Sequence, residues 1–550
     1  MGATQSHEPQ PVVETVDQEG GGTKLFKFIK GETVAAGGSW DLYSANASYN
    51  FYDVNEDGAS GKPKWYLEAG SEVEAEVSDN FSFEEQSRRV TFVANGIWAL
   101  KFATLADYRA FSSEYNDKLF QNTYGLENDQ AGRDKVFGKD SLLNLGGETE
   151  DSRNQWLADM DVDEKPDAEE LRRGKQVSEN PEKEVVGLRL GAGDRSYLMR
   201  DGQIDVLRNV YGGVQDTGIN FTLTPSKGTS NFTPSKQLLM RSERRMNLLS
   251  PDSGHKMLHA DIETGKVVSE WQFQKDGVDV AMKDLINETR AAQLDDRSTF
   301  LGLGSNRLVR WDMRTEQGIV SGLESPSVVN WAGGKDYATK TNFNCMATSG
   351  DGYVVIGSED GQIRLYSEKS LTRANTAIPG LGAPITAVDV TFDGNWVLAT
   401  TKSYLMVVKT IYRDKNDKET NAFKSRAGAR APAPRLLRLK PEDTAMTGGA
   451  PLTKGKFTWV TQAGRQERWI VASCGNYTVL WNFRQVKLAN PDVVSYGGLT
   501  TVTNYHLIPK SESVVDSVFM HDNYAASPSA NDSSMVVVTK HAIWSLGDDE

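Results

Sequence analysis

Histidine and cysteine are scarce in this chain: six His and two Cys among 550 residues. The cysteines, Cys345 and Cys474, stand far apart, which excludes a disulfide framework of the secreted type and a four-thiolate zinc site. His7, His506, His521 and His541 are too scattered to read as a triad. His255 and His259 are four apart, but no Glu follows His255 and the context is a strand hairpin, where that spacing does not bring two rings together. No catalytic residue, metal ligand or cofactor site is assigned, and a propeller-type hydrolase, which needs His, Asp or metal ligands gathered in one place, finds no cluster here. The chain reads as a protein that is not an enzyme.

Long apolar runs are missing as well. There is no N-terminal apolar core of a signal peptide and no run of about 18 apolar residues, so secretion and membrane spanning are not expected. Triplets such as Asn231-Phe232-Thr233 are then chance matches to a glycosylation acceptor. Positive charge is in deficit, with 61 Lys and Arg against 75 Asp and Glu and a net charge of −14, which argues against a dedicated nucleic-acid binder. Proline is low at 18 beside 50 Gly, and this excludes collagen-like and proline-rich fibrous readings.

What is present divides the chain. Its length predicts about two to four domains. Residues 1–22 are polar, end in Gly20-Gly21-Gly22 and are expected to be disordered. They open with Met1-Gly2-Ala3-Thr4-Gln5-Ser6, which fits the M-G-x-x-x-[ST] signal for myristoylation of Gly2. One such chain holds a membrane only reversibly, and Glu8, Glu14, Asp17 and Glu19 would repel anionic lipid. The location implied is cytoplasmic, with a peripheral membrane or a nuclear pool as the alternatives.

Residues 23–125 read as short strands closed by one helix. Asn95-Gly96 between Val93 and Ile97 predicts a hairpin with a two-residue type I′ turn. After the strand Ile97–Phe102, Thr104 and Asp107 form a capping box, and Leu105, Tyr108, Phe111, Tyr115 and Leu119 make one apolar stripe. Antiparallel strands closed by an amphipathic helix describe a pleckstrin-homology-like barrel.

Residues 126–184 read as an acidic linker: from Glu148 to Glu184 there are 13 acidic and six basic residues, a net of −7. Asp159-Met160-Asp161-Val162-Asp163 with Glu170 imitates a calcium loop, but Glu164 stands where Gly is needed and Pro166 follows. Asp53-Val54-Asn55-Glu56-Asp57-Gly58 has the Gly but places Lys64 where the bidentate Glu belongs. Both are read as plain polar segments.

From 185 to 547 the pattern is β throughout, with a degenerate period of about fifty residues. Seven units pair strands across polar turns: Tyr197–Leu207, Met257–Trp271, Phe300–Asp312, Tyr353–Tyr366, Trp396–Val408, Trp469–Trp481 and Met535–Trp544. Radial repetition avoids exposed strand edges, which predicts a WD-like β-propeller of about seven blades, with eight as the alternative. Gly302-Leu303-Gly304 lacks a following helix and is read as a blade turn, and Trp311 as a residue packed between blades. Residues 412–440, with Lys424, Arg426, Arg430, Arg435, Arg438, Lys440 and an Ala-Pro repeat at 431–434, read as a basic, structureless loop insertion that meets an acidic partner or the chain itself.

Several of these blocks stand together in a known order: Asp194–Ile204, Gly265–Trp271, Thr299–Leu303, Ala374–Ile385, Asp393–Leu405 and Val479–Phe483. They resemble the vacuolar import and degradation proteins of the type numbered twenty-seven in fungi, whose plant relatives are called "defective embryo and meristems" proteins. The resemblance implies a propeller behind a pleckstrin-homology-like module. It also implies a non-enzymatic adaptor or scaffold with protein partners, directing cytosolic cargo to vacuolar degradation, with a developmental role in plants. Gly96–Phe102 followed by Tyr108 and Phe111 is also similar to the end of Ran-binding domains, so a Ran-type small GTPase is the alternative partner.

One expectation is testable at once. Cells fed an alkynyl myristate analogue should label the full chain and not its Gly2→Ala variant, read by click chemistry on the purified protein.

Overall fold

The computed structural model describes residues 22–30, 38–55, 61–139, 148–158, 174–223, 233–251, 254–314, 327–337, 341–461, 466–524 and 534–547. Gly2 and the Asp159–Glu170 segment lie outside them. The N-terminal strands are β1 (Lys24–Lys30), β2 (Gly38–Ser44), β3 (Tyr49–Asp53), β4 (Trp65–Ala69), β5 (Val73–Glu76), β6 (Ser82–Glu84), β7 (Arg89–Val93) and β8 (Ile97–Lys101). They make two antiparallel sheets, ordered β2-β1-β8-β7-β6 and β3-β4-β5. Their alternation is what buries one face: in β5, Val73 and Ala75 point inward while Glu74 and Glu76 are exposed.

The β7–β8 hairpin stands where Asn95-Gly96 predicts it, and both residues take positive φ (42° and 130°). Its loop is three residues long, since Val93 pairs with Ile97 across Ala94, Asn95 and Gly96. Helix α1 (Leu105–Tyr124) is capped as expected: Thr104 Oγ1 accepts the Asp107 N–H at 3.1 Å and donates to the Asp107 carboxylate at 2.7 Å. Tyr108, Phe111, Tyr115 and Leu119 are buried, whereas Leu105, in the first turn, stays 40% exposed and contributes little to the stripe. Phe111 sits among the rings of Tyr49, Phe51 and Phe102, with centroids 5.0 to 5.3 Å away, and this aromatic cluster closes the space between the two sheets.

Among the described residues, seven four-stranded antiparallel blades follow. Blade 1 runs from Val185–Arg189 to Gly213–Thr222, blade 2 from Lys236–Met240 to Lys266–Lys275 and blade 3 from Asp284–Ile286 to Ser327–Asp336. Blade 4 runs from Phe343–Thr348 to Thr376–Ile378, blade 5 from Ala387–Val390 to Arg435–Leu437 and blade 6 from Leu452–Phe457 to His506–Pro509. Blade 7 takes Val514–Phe519, Met535–Thr539 and Ala542–Leu546, and its fourth strand is β9 (Gly174–Glu179) from the other end of the propeller. That exchange joins the two ends of the propeller and closes the ring. Six of the seven sequence units are second-and-third-strand hairpins of one blade each, and Met257–Trp271 is the third and fourth strands of blade 2.

Three local readings change. The 126–184 stretch, expected as a solvated linker, contains helices α2 (Gln130–Phe137) and α3 (Glu150–Leu157) as well as β9, and Trp156 in α3 is fully buried. The 412–440 insertion is ordered too. Tyr412 and Phe423 are buried, Phe423 stacks on Tyr353 at 4.8 Å, and Arg435–Leu437 is the outer strand of blade 5. Gly302 belongs to a strand rather than a turn. A Cβ there would meet Trp311 Nε1 at 2.6 Å, so the glycine makes room for that indole, which packs against Phe273 of blade 2 at 5.1 Å.

Inner-strand carboxylates tie neighbouring blades. Asp284 and Asp389 each accept the next residue's N–H with Oδ1 (3.0 and 2.9 Å) and reach the next inner strand they face with Oδ2, at Met346 N and Phe457 N (3.3 and 2.8 Å). Glu467 does the same from blade 6, accepting Phe392 N–H of blade 5 at 3.0 Å. Burial pushes its pKa up from 4.5 to about 7, with Asp393 adding to the rise and Arg290 opposing it. The folded protein therefore holds this proton more tightly than the unfolded chain, so its contribution to stability falls as pH rises from 4.5 through about 7. Glu467→Gln should stabilise the protein at pH 8 by about 1–3 kcal/mol and be nearly neutral at pH 4. Urea unfolding at the two pH values measures this; an equal effect at both would contradict it.

Candidate functional site

The largest departure from independent modules is where the N-terminal sheets meet the propeller. Between the third and fourth strands of blade 6 the chain makes a hairpin, Val493–Ser495 and Leu499–Val502. One side of it pairs in parallel with blade 5 (Leu436↔Thr501, Leu437↔Val502), and the other pairs with β6 (Val493↔Glu84, Val494↔Phe83). The result is one 11-stranded sheet from β2 to the inner strand of blade 5. A single hydrophobic core also continues from Leu25, Phe92 and Phe111 to Leu381, Tyr404 and Leu436.

Tyr496 caps the bridging hairpin at φ 51°, in the left-handed region, followed by Gly497 and Gly498, also at positive φ. Its hydroxyl donates to Leu381 O of blade 4, its ring meets Tyr404 of blade 5, and Gly497 N–H donates to Asn116 of α1 at 3.1 Å. Beside it lies a cavity of about 200 Å³ between helix and propeller, walled by Phe120, Tyr124, Phe137 and Tyr496 and rimmed by Asn128 and Arg133. Burial raises the Tyr124 and Tyr496 hydroxyls far above the ordinary tyrosine range, so both stay protonated.

A second anchor joins the acidic stretch to the basic one. Arg435 is 1% exposed and donates to Glu148 Oε1 at 2.7 Å; Glu148 is 3% exposed and also accepts from Thr500 Oγ1 at 3.1 Å. Arg435 Nη1 donates to the carbonyls of Val486 and Lys487 at 2.8 and 2.6 Å, and its guanidinium lies 4.2 Å from the Trp156 ring centre. Desolvation lowers the Arg435 pKa, opposed by Glu148. The small Ala-Pro repeat lets α3 lie close, with Trp156 Nε1 donating to Ala433 O at 3.1 Å and Ala433 N to Ser152 Oγ at 3.1 Å.

The sequence-level site residues separate in space. His259 is buried against Asn247 Oδ1 at 2.6 Å, and burial lowers its pKa to about 4. His255 lies 3.7 Å from Asp279 instead of joining it. Cys345 and Cys474 are buried free thiols in blades 4 and 6. Asp53 closes its own turn by accepting Asn55 and Lys64 N–H at 2.9 and 2.8 Å. Among the described residues no group of three His, Cys, Asp or Glu could hold a metal, and no helix is long and apolar enough to cross a membrane.

Against known proteins, residues 185–500 match the model of the VID27 C-terminal WD40-like domain. The chain belongs to the VID27 family. Residues 9–138 match a domain of unknown function, DUF7135. The chain is 33% identical to vacuolar import and degradation protein 27 of Schizosaccharomyces pombe over 340 residues, 60% of this chain and 40% of that protein. It is 29% identical to the protein of the same name from Saccharomyces cerevisiae over 304 residues, 53% and 36% of the two chains. This VID27-family chain thus spans about two fifths of the length of the relatives it matches. Among solved structures it is similar to the Cps50 (Swd1) β-propeller domain of Myceliophteria thermophila, at 12% identity and a TM-score of 0.41, covering 68% of this chain and 99% of that one.

Removing one partner of a buried ion pair strands the other charge, which costs about 3–5 kcal/mol. Arg435→Met should therefore lower stability by about that much, and Arg435→Met with Glu148→Gln should recover a large part of it. Chemical denaturation of the four proteins of the cycle measures the coupling.

Proposed function

We propose that this VID27-family protein is a non-enzymatic adaptor that brings cytosolic cargo to vacuolar import and degradation. The reading is carried by one observation: the N-terminal module is joined to blade 5 by continuous sheet pairing, which holds two sets of loops at fixed positions on one rigid body. A propeller offers many loops on a stiff scaffold, a form suited to binding several proteins at once. The name shared by the two fungal relatives supplies the pathway. We take the helix-closed N-terminal sheets as pleckstrin-homology-like and the Gly2 signal as a reversible membrane contact. The partners are proteins, the location is the cytoplasm, and neither a cofactor nor nucleic acid takes part.

The residues behind the small-GTPase alternative account for themselves differently. Trp98, Phe102, Tyr108 and Phe111 are all buried in the N-terminal core, where they shape that module rather than offer a contact surface themselves.

Pulse-chase turnover of cytosolic proteins delivered to the vacuole, in cells with and without the full chain, tests the adaptor reading. Loss of the chain should lengthen cargo half-lives severalfold, and its return should restore them; unchanged half-lives overturn the proposal.

A further inference from the structure

The inner strands of successive blades pack side by side around the propeller axis. Ion pairs between those strands therefore lie on the inner side of the propeller, where neighbouring blades meet. Lys236 of blade 2 reaches Asp284 of blade 3 at 3.2 Å, and Lys454 and Lys456 of blade 6 both reach Asp516 of blade 7, at 3.2 and 2.9 Å. Water touches 45, 40 and 31% of the three lysine side chains but only 10 and 6% of Asp284 and Asp516. The lysine side chains are thus partly open to solvent while the carboxylates are withdrawn behind them.

Those carboxylates are already committed. Asp284 accepts Leu285 and Met346 N–H, and Asp516 accepts Ser517 N–H at 2.9 Å. Asp516 is shared between two ammonium groups, and the other carboxylate that acts on Lys456, Asp389, is matched by Arg290 at 2.7 Å, which leaves one positive charge in excess. Lys456 feels it: burial lowers its pKa, and Lys454 lowers it further against the pull of Asp516.

The chain bends to create this crowding. Pairing of the Leu452–Phe457 strand shifts between Thr453 and Lys456, and Lys454 takes φ 52°, where a side chain is strained. Gly455 fits the bulge by donating its N–H to Thr400 Oγ1 at 3.0 Å, where a Cβ would come within 2.6 Å of that oxygen. Arg189 of blade 1 is a further cation, within the fields of Glu243 first and Asp284 second. It donates to Gln293 at 3.1 Å, while its Nε is buried without a hydrogen-bond partner.

We propose that the propeller lumen binds a compact, soluble phosphate polyanion, held at the axis by Lys236, Lys454 and Lys456. Ammonium groups grip phosphate oxygens as mobile point charges, and two of them side by side suit adjacent phosphates. The net charge of −14 does not prevent this, because beyond about 10 Å it is screened at physiological salt whereas the lysines act by contact. The site does not depend on the adaptor reading and can stand or fall without it.

Calorimetric titration of the full chain with inositol hexakisphosphate and with linear tripolyphosphate, at about 0.1 M salt, tests the site. One equivalent of at least one probe should bind. Lys454→Gln with Lys456→Gln should weaken it by about tenfold or more, and the Lys454→Arg, Lys456→Arg pair should retain most of the affinity. Should the double Gln variant not fold, as read from its unfolding curve, Lys236→Gln serves instead with a loss of about threefold or more. No binding of either probe to the wild-type chain overturns the proposal. So does unchanged affinity in the folded Gln variants, which would place the anion on another basic surface.

Discussion

A guanidinium buried between two propeller blades requires a counter-charge, because desolvating it alone would cost several kcal/mol, a large share of a domain's stability. Arg435 finds that charge in Glu148, a residue that precedes the propeller, and the rest of the junction is arranged around the pair. Bringing Glu148 to the blade 5 edge brings α3 with it, places Trp156 on the guanidinium and lays the Ala-Pro repeat flat beneath the helix. Thr500, on the bridging hairpin, completes the carboxylate's hydrogen bonds and so ties the ion pair to the strands that reach the N-terminal sheet.

The consequence is mechanical. A chain whose composition suggests two modules on a flexible tether is instead continuous in both hydrogen bonding and core. Strand pairing costs a protein its open edges, and here two edges that would otherwise need protection, those of β6 and of blade 5, are spent on each other through residues 493–502. Loops on the two modules therefore keep fixed distances. That is a geometric constraint a tether would not impose.

Much of the fold was legible because it rests on local patterns. The capping box at Thr104 and Asp107 and the stripe from Tyr108 to Leu119 are helical spacings. The hairpin at Asn95-Gly96 follows from backbone φ, and the seven repeated strand pairs from alternation. The readings that changed depend on distant partners. Composition makes 148–184 look solvated and 412–440 look loose, since charge and small residues are counted without knowing that Glu148 meets Arg435 or that Trp156 covers Ala433. A lone Trp and an Arg next to an apolar Leu-Leu pair were the available signals. Lys454 and Lys456 carried none, because a bulge and a facing Asp516 are invisible in a Lys-Gly-Lys triplet.

By itself, then, the sequence determined the fold class and the family, and it narrowed the propeller to seven or eight blades. Tertiary structure alone decided how the two modules meet, that β9 closes the seventh blade, and which charges pair between neighbouring inner strands. The division has one physical reason. Periodicity and turn chemistry act between residues a few positions apart, while ion pairs, strand exchange and a shared core join residues hundreds of positions apart that only the folded chain brings into contact.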